Sequence, residues 1–265
     1  MDLRTIGRSR GTVALVGVFL LAYVGLAGLL LYVDEPSFEA YTNVLAEVLP
    51  LVVPLVAVLV GYDAVVGERT TGTAALALSL PHSRGALVTG KLAARVGLLT
   101  AALWVATLLG GALTGATFPA FDAATLVGLS ALVTVQGGLF LGLAVGVSML
   151  LRSTRRVIAA ALGSYFALVV AWSTLVNAVG LVLFRFQSTV YFTEYPAWAA
   201  FVRMCAPAAA TEYLLAEVVG VGSPPEVTQL SDAWFVSSEG AAFGLVVWAI
   251  LPLAAGFARF ARHDL

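Results

Sequence analysis

The sequence predicts an all-α polytopic membrane protein: six transmembrane helices, a short cytoplasmic helix between helices 2 and 3, and a helical external insert between helices 5 and 6. Three observations carry this reading. The residues AVILMFWYC make up 60% of the 265 positions and charged residues only 11%, with a mean hydropathy of +0.98; soluble domains are far more polar. Long apolar runs recur at roughly 11–33, 46–66, 92–117, 123–151, 157–184 and 241–260, each near the ~20 residues that cross about 30 Å of hydrocarbon. Basic residues gather on one side of these runs, with only Arg185 and Arg203 on the other, as membrane insertion favours, and acidic residues show the reverse bias.

The first run follows Arg4, Arg8 and Arg10 and precedes the acidic turn Asp34-Glu35-Pro36. It is longer than the apolar core of a secretion signal and lacks a small-residue cleavage site, so it is expected to be a retained helix. The second run contains Pro50 and Pro54, each of which removes a ladder hydrogen bond and loosens the helix. Small residues at four-residue spacing, Gly111 and Gly115 in the third run and Gly138, Gly142 and Gly146 in the fourth, let helix backbones approach closely, within one chain or across a dimer. Gln136 and Asn177 are the polar side chains nearest mid-membrane. They either bond helices together or line a translocation path.

Arg152, Arg155 and Arg156 form a tight turn into the fifth run. Beyond that run, Ala197–Met204 and Ala206–Val219 are apolar but too short or too charged to span. They read as interfacial or re-entrant helices broken at Pro196 and Pro207, with a turn at Gly220–Pro225. Pro252 interrupts the sixth run.

Arginines and the lysine crowd the amino terminus, the 67–95 connection, the 152–156 turn and the carboxy terminus. Acidic residues crowd the opposite loops. Both termini are therefore expected in the cytoplasm, in a multi-pass protein of the plasma membrane. The lipid bilayer is the expected surrounding. No basic patch with interleaved aromatics points to nucleic acid.

Catalytic patterns are thin. The stretch Gly85 to Leu92 nearly matches a phosphate-binding loop, but Leu92 stands where magnesium needs a hydroxyl, and the segment leads into an apolar run rather than following a strand. His82 and His263 are the two histidines, with no HExxH, GxSxG or DDxxD pattern around them. Met204 and Cys205 are soft ligands without a third partner. No cofactor is expected on this chain.

The 62–95 connection is the long polar segment on the basic side. Helical character extends past Asp63 through Glu68 and Arg69, and a short helix from about Thr70 to Leu80 places Thr73, Leu76 and Leu80 on one face. Pro81 stops it, and Ser83 is placed to cap a helix running through Lys91 into helix 3. A short helix would thus lie at the membrane surface between two long ones, so that a force on it moves both.

The residues Tyr62-Asp63, Glu68-Arg69, Gly72-Thr73, Leu78 to Pro81, Ser83-Arg84 and Gly90-Lys91 resemble the first cytoplasmic loop of ABC-2 type transporter permeases. Two weaker echoes agree: Ala206 to Tyr213 resembles the NPxxAY-like segment before the last helix, and Phe260 to Leu265 resembles the RFxxxDL-type ending. Ala206 replaces the usual Asn, and Thr211 interrupts the A-Y pair. The group most resembled is the NosY-like, multi-copper enzyme maturation type.

The resemblance implies a subunit that is not itself an enzyme, coupled to a separate cytosolic ABC ATPase that carries ATP and magnesium, paired with a second permease copy, and working as an exporter. The short helix would then be a coupling helix. Asp63, Glu68, Arg69, Gly72, Thr73, Leu80, Pro81, Arg84 and Lys91 are the residues expected to shape or present it. The competing readings are an ion-coupled secondary carrier, which would bury ionisable groups near the midplane, and a membrane-embedded lipid-modifying enzyme, which would gather an acid, base or metal cluster.

Overall fold

The computed structural model describes residues 10–33, 36–64, 66, 84–187, 196–223 and 233–262, and these contain helices and turns without a strand. Helix α1 runs through Arg10–Leu20, a π-helical turn Leu21–Gly25, and Leu26–Leu31. It is followed by α2 (Phe38–Gly61), α3 (Arg84–Thr117) and α4 (Ala123–Leu150). Next come α5 (Thr154–Tyr165, with a π-helical turn Phe166–Val170) and α6 (Trp172–Leu183). Two short helices, α7 (Ala197–Met204) and α8 (Pro207–Leu214, with a π-helical turn Leu215–Val219), precede α9 (Ser238–Arg262).

Among the described residues five helices are long and apolar enough to cross a bilayer, and the bent pair α5–α6 makes a sixth span if it counts as one. The run expected as a single helix over 157–184 is therefore two arms meeting at 63°. The cause lies in the backbone: the π-helical turn shifts the ladder by one residue, so that Ala171 N bonds Phe166 O at 2.8 Å, and the chain re-enters an α-helix in a new direction at Trp172.

Helix boundaries also exceed the apolar runs. Ser37 in an extended conformation accepts a bond from Ala40 N, so α2 starts well before residue 46. α3 starts at Arg84, ahead of the apolar run at 92 and in line with the helix expected to run from beyond Ser83 through Lys91. Hydrophobicity marks the segment that fits the hydrocarbon, whereas capping and turn chemistry mark where helix begins.

α4 is the hub. Of its most apolar stretch 61% is buried, against 22% for α1 and 17% for α9. α2, α3 and α9 pack around it, while α1 lies outermost against α3. A helix apolar on every side suits that central place. On the outer surface Leu21, Leu108 and Phe243 are each more than two-thirds exposed, in keeping with a lipid-facing perimeter.

Glycines let α4 and α9 approach closely. A Cβ on Gly256 of α9 would lie 2.6 Å from the Gly146 carbonyl oxygen of α4, and one on Gly142 would lie 3.1 Å from Leu253. Gly111 faces Leu126 and Gly115 faces Phe121 at a similar approach, whereas nothing lies within 4 Å of a Cβ on Gly138. Four of the five spaced glycines are thus used inside the chain.

Candidate functional site

The residues flanking the polar 62–95 connection form a compact node where the end of α2, the start of α3 and the end of α4 meet. The last turn of α2 leaves carbonyls without intrahelical donors and carries the negative end of the helix dipole. Two cations from α3 meet that end. Arg95 Nη1 donates to Val60 O at 2.7 Å and to Gly61 O at 3.2 Å, and pairs with Asp63 Oδ1 at 2.9 Å. Lys91 Nζ donates to Ala64 O at 2.7 Å. The four-residue spacing of Lys91 and Arg95 puts both side chains on one face of α3.

α4 closes the node from the other side. Ser148 Oγ, fully buried, accepts from Val66 N at 3.0 Å. Gly61 sits so close to α4 that a Cβ there would lie 2.8 Å from Ala144 Cβ and 3.2 Å from Leu141 O. The chain therefore leaves α2 between a cationic face and a hydroxyl-bearing helix, and its backbone groups are satisfied from both.

Of the residues expected in the coupling segment, Asp63 and Lys91 are brought into this node, and Arg84 opens α3. Glu68, Arg69, Gly72, Thr73, Leu80 and Pro81, with the expected helix from Thr70 to Leu80, lie outside the described residues. Sequence reasoning passed over Arg95 and Ser148 as site residues. The signal for Arg95 was its place one turn after Lys91; a lone hydroxyl in an apolar span gives no comparable signal for Ser148.

The near-match to a phosphate-binding loop lies inside α3. A continuous helix turns its backbone N–H groups into its own ladder and offers no cradle for phosphate, and Lys91 is engaged with Ala64 O.

Gln136 and Asn177 are not used together. Gln136 is fully buried on α4 and its Nε2 donates to Pro50 O of α2 at 3.3 Å. Its Oε1 is buried with no hydrogen-bond partner among the described residues. Asn177 is half-buried on α6, which packs against α7.

Towards the opposite end lies a second buried polar group that sequence reasoning did not single out. Tyr23 Oη is 2.8 Å from Ser130 Oγ, Thr107 Oγ1 is 3.1 Å from the same oxygen, and Tyr41 Oη donates to Tyr23 O at 3.1 Å. These four residues join α1, α2, α3 and α4, all at 3% exposure or less. The π-helical turn of α1 contains Tyr23. Gly110 leaves the space both tyrosines occupy, since a Cβ there would sit 2.9 Å from Tyr23 Cβ and from Tyr41 Oη.

The insert after α6 is pinned by indoles. Trp172 Nε1 donates to Val202 O at 2.8 Å and Trp248 Nε1 donates to Cys205 O at 2.7 Å. Both acceptors are carbonyls at the end of α7 that its own ladder cannot serve. Asn43 Oδ1 accepts from Gly222 N at 2.9 Å, fastening the turn after α8 to the start of α2.

Comparison with known proteins agrees with this architecture. The sequence model of the family described as "ABC-2 family transporter protein" matches residues 2–265. The chain is 30% identical over 188 residues to the protein named "Probable ABC transporter permease protein NosY" of Stutzerimonas stutzeri, covering 65% of each chain. It is 34% identical over 142 residues to the protein of the same name from Pseudomonas aeruginosa, covering 51% of this chain and 46% of that one. The matches thus span less than two thirds of the length of these curated relatives.

Proposed function

Because the chain belongs to the ABC-2 family of transporter proteins, we propose that it is the permease subunit of an ATP-driven exporter in the plasma membrane, working with a separate cytosolic ABC ATPase and a second permease copy. The basic end of the bundle then faces the cytoplasm, in line with the positive-inside rule, and the chain between α2 and α3 is the coupling segment. The observation that carries this reading is the node of Asp63, Lys91, Arg95 and Ser148. It braces the start of that segment against α3 and α4, as a force-receiving element requires. ATP and magnesium belong to the partner, because the stretch nearest to a nucleotide motif is helical and its lysine is engaged. Both relatives are named as permeases.

The translocation path is proposed to run beside Gln136, whose buried Oε1 is an acceptor for water or polar cargo. Asn177, on α6, is proposed as a separate polar lining residue.

The test is co-purification from native membranes in mild detergent, comparing wild type with Glu68→Arg and Leu80→Asp, each checked for membrane insertion. The expected result is recovery, with wild type alone, of a soluble subunit that mass spectrometry identifies by a complete GxxxxGK[ST] motif. Recovery of no such ATPase with wild type, or equal recovery with both variants, would sink the coupling assignment and favour an ion-coupled carrier or a lipid-modifying enzyme.

A further inference from the structure

The loop residues expected to contact an ATPase are one half of a transmission; the other half is whatever joins the loop to the helices it moves. We infer that Arg95 is the positioning residue that makes α2 and α3 respond together to the coupling segment, an inference that rests on the permease reading above.

The grounds are geometric. One guanidinium nitrogen reaches three oxygens on the final turn of α2 and just beyond it: Val60 O, Gly61 O and Asp63 Oδ1, at 2.7, 3.2 and 2.9 Å. Two of these are backbone atoms, so the contact grips the helix rather than a mobile side chain. The side chain of Arg95 is 22% exposed and that of Asp63 53%, so the arginine is the sheltered partner and the aspartate the one that reaches toward solvent. Lys91 adds a grip on Ala64 O.

Against α4 the same turn has little freedom, because Gly61 presses on Ala144 and Val66 N is held by Ser148. A displacement entering at Asp63 is therefore passed to α3 through charge-assisted bonds and to α4 through direct contact. With Arg95 removed, α4 still confines the end of α2, and Lys91 is the side chain of α3 still bonded to it among the hydrogen bonds described. The loop would then keep its partner and lose its leverage.

The experiment uses the permease with the ATPase identified above, in lipid nanodiscs, and compares wild type, Arg95→Met, Arg95→Lys and Asp63→Asn. Three quantities are read: ATPase bound per permease, ATP hydrolysis per complex, and hydrogen exchange of residues 60–66. Arg95→Met is expected to retain bound ATPase within about 2-fold, to lower hydrolysis per complex about 10-fold, and to speed exchange at 60–66 about 10-fold. Arg95→Lys, which keeps the cation, is expected within about 3-fold of wild type on all three. Asp63→Asn is expected to fall between them, because the carbonyl contacts remain.

Unchanged exchange and hydrolysis in Arg95→Met would overturn the inference. So would loss of bound ATPase with unaltered hydrolysis per bound subunit, which is the mark of a merely structural residue. Absence of an ATPase from wild type would instead defeat the permease reading, and the exchange measurement would still decide whether Arg95 grips α2.

Discussion

Gln136 of α4 donates to the Pro50 carbonyl of α2, the oxygen that Pro54, four residues on and without an N–H, cannot serve. A defect created by one proline is repaired by a side chain from the neighbouring helix. Gln136→Leu is expected to destabilise the protein by about 1 kcal/mol in a reversible micellar unfolding assay. In a Pro54→Ala background, where the ladder donor returns, the same change should be neutral. Equal losses in both backgrounds would show that the amide serves something other than the Pro50 carbonyl.

The glycine contact between α4 and α9 leaves no room for a side chain. Gly146→Leu and Gly256→Leu are each expected to cost about 2–3 kcal/mol or to prevent recovery of folded protein. Gly138→Ala, which meets open space, should be silent in the same thermal measurement. A silent Gly146→Leu would mean that the two helices do not approach as described.

The Tyr23, Ser130 and Thr107 hydroxyls share one buried junction. Tyr23→Phe and Ser130→Ala should each cost about 1–2 kcal/mol, and the double variant clearly less than their sum, because the second change removes a partner already lost. A double-mutant cycle measures this, and strict additivity would contradict the shared bond.

Trp248 holds the Cys205 carbonyl, and Cys205 is half-buried. Trp248→Phe removes the indole N–H with modest change in bulk. The rate of Cys205 modification by a membrane-impermeant maleimide should rise about 5-fold as the end of α7 loosens. Labelling of intact cells also reads the side of the membrane: reaction from outside is expected under the proposed orientation, and reaction only after lysis would invert it.

Asp122 caps α4 by accepting from Ala124 N at 2.9 Å and from Thr125 Oγ1 at 2.6 Å. These bonds, the Thr125 hydroxyl foremost, hold its carboxyl below its ordinary value of 3.8. A carboxyl lowered on folding stabilises the fold at pH values above its ordinary one, and the contribution is lost as pH falls through the lowered value. Thermal stability should therefore decline for wild type as pH falls below about 4 by more than for Asp122→Asn, which keeps an acceptor that does not titrate. Parallel pH profiles would remove the carboxylate from the cap.

Apolar run length and charge placement were enough to read a helical membrane bundle, because insertion imposes both on any sequence that spans a bilayer. They were not enough to place helix ends. The extension at Phe38 depends on the Ser37 cap, which hydrophobicity does not record, whereas the helix from Arg84 was expected from Pro81 and Ser83 in the sequence. The 63° break at Ala171 was hidden for a related reason: no proline or glycine stands there, and the bend comes from a π-helical turn with an indole anchored beyond it. At the candidate site, Asp63 and Lys91 were legible from the loop pattern. Arg95 was passed over although it stands one turn after Lys91, since an arginine near the end of an apolar run ordinarily reads as an interface anchor; its 2.7 Å bond to Val60 O gives it the other role.

The meeting of Gly146 and Gly256 sets a constraint on biosynthesis. α4 is made and inserted long before α9, with α5 to α8 in between. At about 5–20 residues per second, the glycine face of α4 waits for roughly 6 to 22 seconds before the helix that covers it, ending at Arg262, is complete. During that interval the hub of the bundle is open along one side. A lipid chain, an insertion factor or a wrongly paired helix can occupy the groove, and each must leave before α9 can seat. Where the groove is occupied, the docking of α9 becomes a displacement, and agents that stabilise the unfilled groove would act on assembly rather than on the finished molecule.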